Sequence, residues 1–239
     1  MCFVSEALPE RGFATVEQVY DEHEIATLCQ LINRSGIEKA FGVREFLLRV
    51  PEIVPILFNE SLRQILHRLL PGGAQVIRSL YFDKPPHANW IVNWHQDLTV
   101  NLTHREDHPG FQNWRRVRGG SVVQPPVELL QRIVTVRIHL DDCTVENGAL
   151  RVIPGSHRHG VIDMRKWSPE DDDIFVCEVP AGGIMLMKPL LLHSSRRSTA
   201  GANRRVIHLE CCAETLPGTL QWKEATWIPP ASTSFPIDA

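Results

Sequence analysis

The run Pro71-Gly72-Gly73 separates two stretches of chain with different hydrophobic periods. Before it, apolar residues recur at helical spacing; after it, they fall in short runs of strand length. Ile25, Leu28 and Ile32 share one helical face. Asp21, with Glu24 three residues on, opens that helix and Gly36 stops it. Leu62, Ile65, Leu66 and Leu69 form a second amphipathic helix, which Pro71-Gly72-Gly73 ends. Apart from a short strand over 12–16, the strand-like runs all lie beyond Gly73, at 75–83, 131–140, 149–153, 174–179, 183–188 and 204–212. Turns rich in Pro, Gly, Asn and Asp separate them. Helices first and many strands afterwards predict a mainly β chain, a sandwich or jelly roll with flanking N-terminal helices.

A chain of 239 residues that is 43% hydrophobic suits one domain, 1–239. We divide it into a helical flank (1–73), a β core (74–213) and a C-terminal extension (214–239). Segment 101–126 stands apart: it is polar and without a period, and it carries His104, His108, Trp114, Arg115, Arg116 and Arg118. A long irregular insert in a compact domain is usually functional, so this one is a candidate lid. The net charge of −3 gives no global basic field, so nucleic acid is not expected as a partner. No apolar run approaches the roughly 20 residues of a membrane-spanning helix. The start Met1-Cys2-Phe3-Val4 lacks a basic segment followed by an apolar one, and the six cysteines show no CxxC spacing. Both observations predict reduced thiols in a cytoplasmic protein.

Chemistry concentrates in His95-Gln96-Asp97. On a strand, residues i and i+2 share a face, so His95 and Asp97 can chelate one ion. Two histidines and a carboxylate occupy one face of an iron coordination sphere and leave the other open for a cosubstrate and dioxygen. An HxD pair alone is weak evidence, since His139-Leu140-Asp141 is another and His208-Leu209-Glu210 an HxE. Spacing to His193, the natural third ligand, does not choose between them. Context does: His139–Asp141 runs straight into the turn Glu146-Asn147-Gly148, where Asp141 suits a turn-side acceptor. Arg204, eleven positions after His193, opens a strand that can return antiparallel beside it and hold a carboxylate in bidentate fashion. Arg205 competes for that role, because the two face opposite ways on a strand. Arg137 shares a strand face with Thr135 and His139, and so can reach a cavity or lie outward in a salt bridge.

Taken together, Trp94-His95-Gln96-Asp97, then Asn147-Gly148-x-Leu150-x-x-x-Pro154-Gly155-Ser156-His157-x-x-Gly160, then His193 with Arg204, resemble the phytanoyl-CoA dioxygenase family. The resemblance runs from the strand end Phe82–Pro86 to about Ala213. It implies a double-stranded β-helix, cupin-like, with His95, Asp97 and His193 as iron ligands and Arg204 as anchor of the 2-oxoglutarate cosubstrate. It further implies Ser195 and Gln96 near the cosubstrate, together with a basic residue from an early strand, which we match to Arg44. The implied reaction is hydroxylation of a small molecule by dioxygen, with succinate and carbon dioxide as co-products. Relatives that halogenate replace the ligand aspartate by a small residue, and Asp97 is present. Trp94 and Trp114 are candidate substrate contacts, as is Arg137. Two other readings of the same residues are a non-catalytic binder on this fold and a cupin-like zinc hydrolase or isomerase. The turn Pro154-Gly155 reads as structural, with Ser156 and His157 capping a loop or reaching the cavity mouth.

Overall fold

The computed structural model describes residues 2–37, 41–84, 90–168, 173–199 and 203–231. Residues 85 and 86 of the expected strand end and 232–239 of the expected extension lie outside them. The flank holds α1 (Cys2–Arg11), β1 (Phe13–Val16), α2 (Glu22–Arg34), β2 (Gly42–Arg44), α3 (Phe46–Arg49), α4 (Val54–Leu57) and α5 (Glu60–Leu69). The expected box opens α2: the Asp21 side chain accepts from Glu24 N at 2.7 Å, and Glu24 accepts from Asp21 N at 2.9 Å. Helix α1 was not anticipated. Three of its residues, Val4, Ala7 and Leu8, are buried in the core.

The remainder is mostly strand: β3 (Gln75–Lys84), β4 (Val92–His95), β5 (Val100–Leu102), β6 (Gln112–Val117), β7 (Gly120–Gln124), α6 (Val127–Arg132), β8 (Val134–His139), β9 (Leu150–Val152), β10 (Phe175–Cys177), β11 (Ile184–Met187), β12 (His193–Ser195), β13 (Arg204–Cys212) and β14 (Thr226–Trp227). The expected strand over 131–140 begins instead as helix α6. Two antiparallel sheets make a jelly roll. The larger has the order β1-β11-β8-β13-β3-β14, with β2 also on β3, and the smaller the order β10-β9-β12-β4. Among the described residues no helix is long and apolar enough to cross a membrane.

Strand β13 shows how the larger sheet divides its two faces. Ile207, Leu209 and Cys211 pack against Leu28, Ile32, Leu62 and Leu66 of the helical flank. The alternate residues Arg204, Val206, His208 and Glu210 line the cavity between the sheets. Both faces are covered, so the strand is buried almost throughout and shows no simple apolar–polar alternation. Cys212, next to Cys211, belongs to a different apolar cluster, as opposite strand faces require.

The 101–126 segment is not irregular throughout. Strands β6 and β7 form a hairpin, and β5 completes a three-stranded sheet in the order β5-β7-β6. Leu102 and Val123 anchor it in a cluster with Leu220 and Trp222. Strand β6 is exposed along nearly its whole length, so no alternation was available to mark it.

Candidate metal centre

His95 closes β4 and His193 opens β12, and the antiparallel register sets them directly opposite one another. Their rings lie 4.1 Å apart, and Asp97 follows where the chain leaves β4. One donor atom from each of the three residues falls within 4.8 Å of the others, the only such group among the described residues. Each imidazole is oriented through Nδ1, His95 against Asn93 O at 2.8 Å and His193 against Leu191 O at 2.9 Å. If Nδ1 carries the proton, Nε2 is left with its lone pair toward Asp97, at 3.8 Å from Oδ1 for His95 and 3.7 Å from Oδ2 for His193.

The protonation states suit a cation. Burial pushes the His193 imidazole down to about 4 against the opposing pull of Asp97, so it is neutral at pH 7. Burial alone would raise the Asp97 carboxyl, but the imidazoles around it and the Arg78 guanidinium hold it below the usual range. Asp97 Oδ2 is buried without a hydrogen-bond partner, an expensive state that a bound cation relieves. Two imidazoles and one ionised carboxylate make a donor set suited to iron(II).

Across a cavity of about 140 Å³, the larger sheet presents cations. Register pairs Arg204 with Lys84 of β3, and His208 with both Leu80 of β3 and Arg137 of β8. Strand β13 therefore pairs with β3 and β8, not beside β12. Arg204 faces the histidines from the opposite wall rather than from a neighbouring strand. Its Nη1 donates to Gly148 O, which fixes its direction. Arg205 points outward and is held by Asp141 through Nε (2.9 Å), Nη2 (2.6 Å) and its backbone N–H (2.8 Å). That contact also removes Asp141 from any chelate with His139, whose burial beside Arg137 and Arg204 keeps it neutral.

Lys84 went unnoticed in the sequence. Its Nζ donates to Trp90 O at 2.8 Å and to Ser195 Oγ at 3.3 Å, and sits 4.6 Å from the centre of the Trp90 ring. Burial, with help from Arg204 and Arg137, brings its ammonium down to about 7. The signal was present: Arg78, Leu80, Phe82 and Lys84 share one face of β3. Ser195 and Arg137 line the cavity.

Four expected residues lie elsewhere. Arg44 is exposed and lines a separate cleft, while the cations that β3 brings to the cavity are Arg78 and Lys84. Gln96 faces away and ties loops together, donating to Gly160 O (2.8 Å) and Leu190 O (2.6 Å) and accepting from Ile162 N (2.8 Å). Trp94 meets Trp167 edge-on at 6.2 Å, since on β4 it points opposite to His95. Trp114 stacks on Phe111 at 6.3 Å beneath the three-stranded sheet.

The Asn147–His157 string serves the site indirectly. Asn147 clamps its own turn through Thr144 N (2.8 Å) and Asp142 O. This sets Gly148, at φ 81°, where a Cβ would strike Arg196 O at 2.7 Å, so that its carbonyl meets Arg204. Further on, Ser156 Oγ accepts from Leu192 N at 2.9 Å, one residue before His193. His157 bonds Pro9 O at 2.9 Å, pinning α1.

The family model for phytanoyl-CoA dioxygenase (PhyH) matches residues 8–206. Phytanoyl-CoA dioxygenase domain-containing protein 1 of Mus musculus is 27% identical over 173 residues, covering 65% of this chain and 50% of that protein. Its Danio rerio counterpart is 28% identical over 189 residues, covering 72% and 57%. This chain thus spans about half the length of these curated relatives. L-proline trans-4-hydroxylase of Streptomyces griseoviridis is 23% identical over 230 residues, covering 84% and 69%. Among solved structures, apo ThoJ, a non-heme monooxygenase, superposes with a TM-score of 0.69 at 18% identity, covering 96% of this chain and 85% of that one. EctD from S. alaskensis with 2-oxoglutarate and 5-hydroxyectoine gives 0.66 at 19%, covering 87% and 74%. These two likenesses concern the fold.

Proposed function

The chain belongs to the phytanoyl-CoA dioxygenase family, and from that premise we propose that it is an iron(II)- and 2-oxoglutarate-dependent dioxygenase. Its reaction in this reading is hydroxylation of a C–H bond of a small molecule, with 2-oxoglutarate converted to succinate and carbon dioxide. One observation carries the reading: a carboxylate with one unpartnered oxygen, its two oxygens each facing an imidazole Nε2, across the same cavity from an arginine–lysine pair. His95, Asp97 and His193 are the residues that would hold the metal. Bound there, iron(II) supplies the activation of dioxygen that couples cosubstrate decarboxylation to substrate oxidation.

The protein's own part is binding, orientation and exclusion of water. Arg204 and Lys84, opposite one another on β13 and β3, receive the distal carboxylate of the cosubstrate, with the Ser195 hydroxyl beside Lys84. Leu80, Phe82, Leu150 and Val206 make the apolar lining that keeps the oxidation site dry. Asp97 fills the carboxylate position, which supports hydroxylation over halogenation.

Anaerobic protein given iron(II) and 2-oxoglutarate should develop a visible charge-transfer band, and on admission of air should form succinate. Bound iron with neither band nor succinate sinks this assignment.

A further inference from the structure

Beside the metal cavity lies a larger cleft of about 990 Å³, and Arg78 lines both. Arg44, Arg115, Arg116 and Arg118 line it from β2 and the β6–β7 hairpin. Among the described residues no carboxylate pairs with any of these four guanidiniums. The carboxylates near the cleft are already engaged, Glu45 by Lys223 and Glu210 by Arg78. A chain of net charge −3 has gathered positive charge in one concave place and left it uncompensated.

The metal cavity leans the same way. It is lined by Arg78, Lys84, Arg137 and Arg204 against Asp97 and Glu210. Iron(II) and the 2-oxoglutarate dianion cancel in formal charge, so loading the site leaves that excess in place. Arg78 is the residue the two cavities share, and positive charge lines both.

We propose that the cleft receives phosphoryl groups of the substrate, so that the molecule oxidised is a phosphorylated small molecule whose reacting end passes Arg78 to the metal. The inference rests on the dioxygenase reading for the identity of the reaction, but not for binding in the cleft. Planar guanidinium forks match phosphate oxygens in bidentate fashion, and a cluster of them suits a ligand with more charge than one carboxylate carries. A nucleic-acid strand is disfavoured because no aromatic side chain lines the cleft to stack a base.

The test is calorimetric titration of the iron-free chain with inorganic pyrophosphate. Comparison is with the double variant R115Q/R116Q and with the control R165Q, whose guanidinium is engaged by Asp163. We expect one-to-one binding that weakens at least tenfold in the double variant and less than twofold in the control. The double variant should keep the wild-type melting temperature, because both side chains are exposed. No binding, or equal binding in the double variant, overturns the proposal. So does a single-stranded oligonucleotide that outcompetes pyrophosphate. A wild-type charge-transfer band without pyrophosphate binding means that the cleft assignment alone has failed; pyrophosphate binding without the band means that the dioxygenase reading has.

Discussion

Lys84 is a residue whose charge the fold leaves adjustable. In the ligand-free protein its ammonium titrates near 7, lowered from 10.5 by burial and by two guanidiniums. The unfolded chain keeps that proton up to about 10.5, so between the two values the folded state binds fewer protons. Stability contributed here therefore rises with pH across that window. A dicarboxylate arriving between Lys84 and Arg204 reverses the balance and favours the charged lysine. At pH 8, 2-oxoglutarate binding should take up as much as one proton per site, measured as the dependence of the calorimetric enthalpy on buffer ionisation. Lys84→Met should abolish that uptake, and an unchanged uptake would place the cosubstrate elsewhere. His95 and Asp97 could be picked out together in the sequence because they lie two residues apart, although β4 ends at His95 and Asp97 follows it. Lys84 was not, because its role depends on the pairing of β3 with β13, more than a hundred residues away. Trp94 and Trp114 misled for the complementary reason: an aromatic side chain beside a motif carries no information about which face it takes.

At the scale of the element, the direction of the β13 side chains decides the chemistry of one wall. Arg204 and Arg205 differ by a single step, yet one enters the cavity while the other is locked to Asp141 outside. Arg204→Ala should raise the 2-oxoglutarate KM at least tenfold with little change in melting temperature. Arg205→Ala should leave KM alone and cost about 1–2 kcal/mol of stability by stranding a half-buried carboxylate; steady-state kinetics and denaturant melts separate the two. The reverse pattern would mean that β13 runs one residue out of step. The sequence left these arginines open because β13 is covered on both faces, which removes the alternation that would have told them apart. The Asn-Gly turn was legible as a turn. Its grip on Arg204 was not, since that needs a carbonyl 56 residues away in the chain.

The whole molecule gives the cavity two unlike walls: His95 and His193 on the smaller sheet, Lys84, Arg137 and Arg204 on the larger. The helical flank and the β core were readable from the change in period at Gly73. The order of strands was not, because every pairing in the larger sheet except β2 with β3 joins segments distant in the chain. One consequence of this arrangement concerns how the protein ages in solution. Strand β4 is the rim of the smaller sheet, His95 is its most exposed donor at 40% against 7% for His193, and Ile91 beside it is 56% exposed. A cation held by His95 and His193 would staple that rim down; without one, a strand edge that carries the exposed Ile91 would recruit another copy. Chelated protein should therefore gain light scattering over hours while metal-replete protein stays clear, and I91K should stay clear in both. Equal scattering by chelated I91K and chelated wild type would locate the sticky surface elsewhere. Metal supply would then govern the shelf life of this protein as well as its turnover.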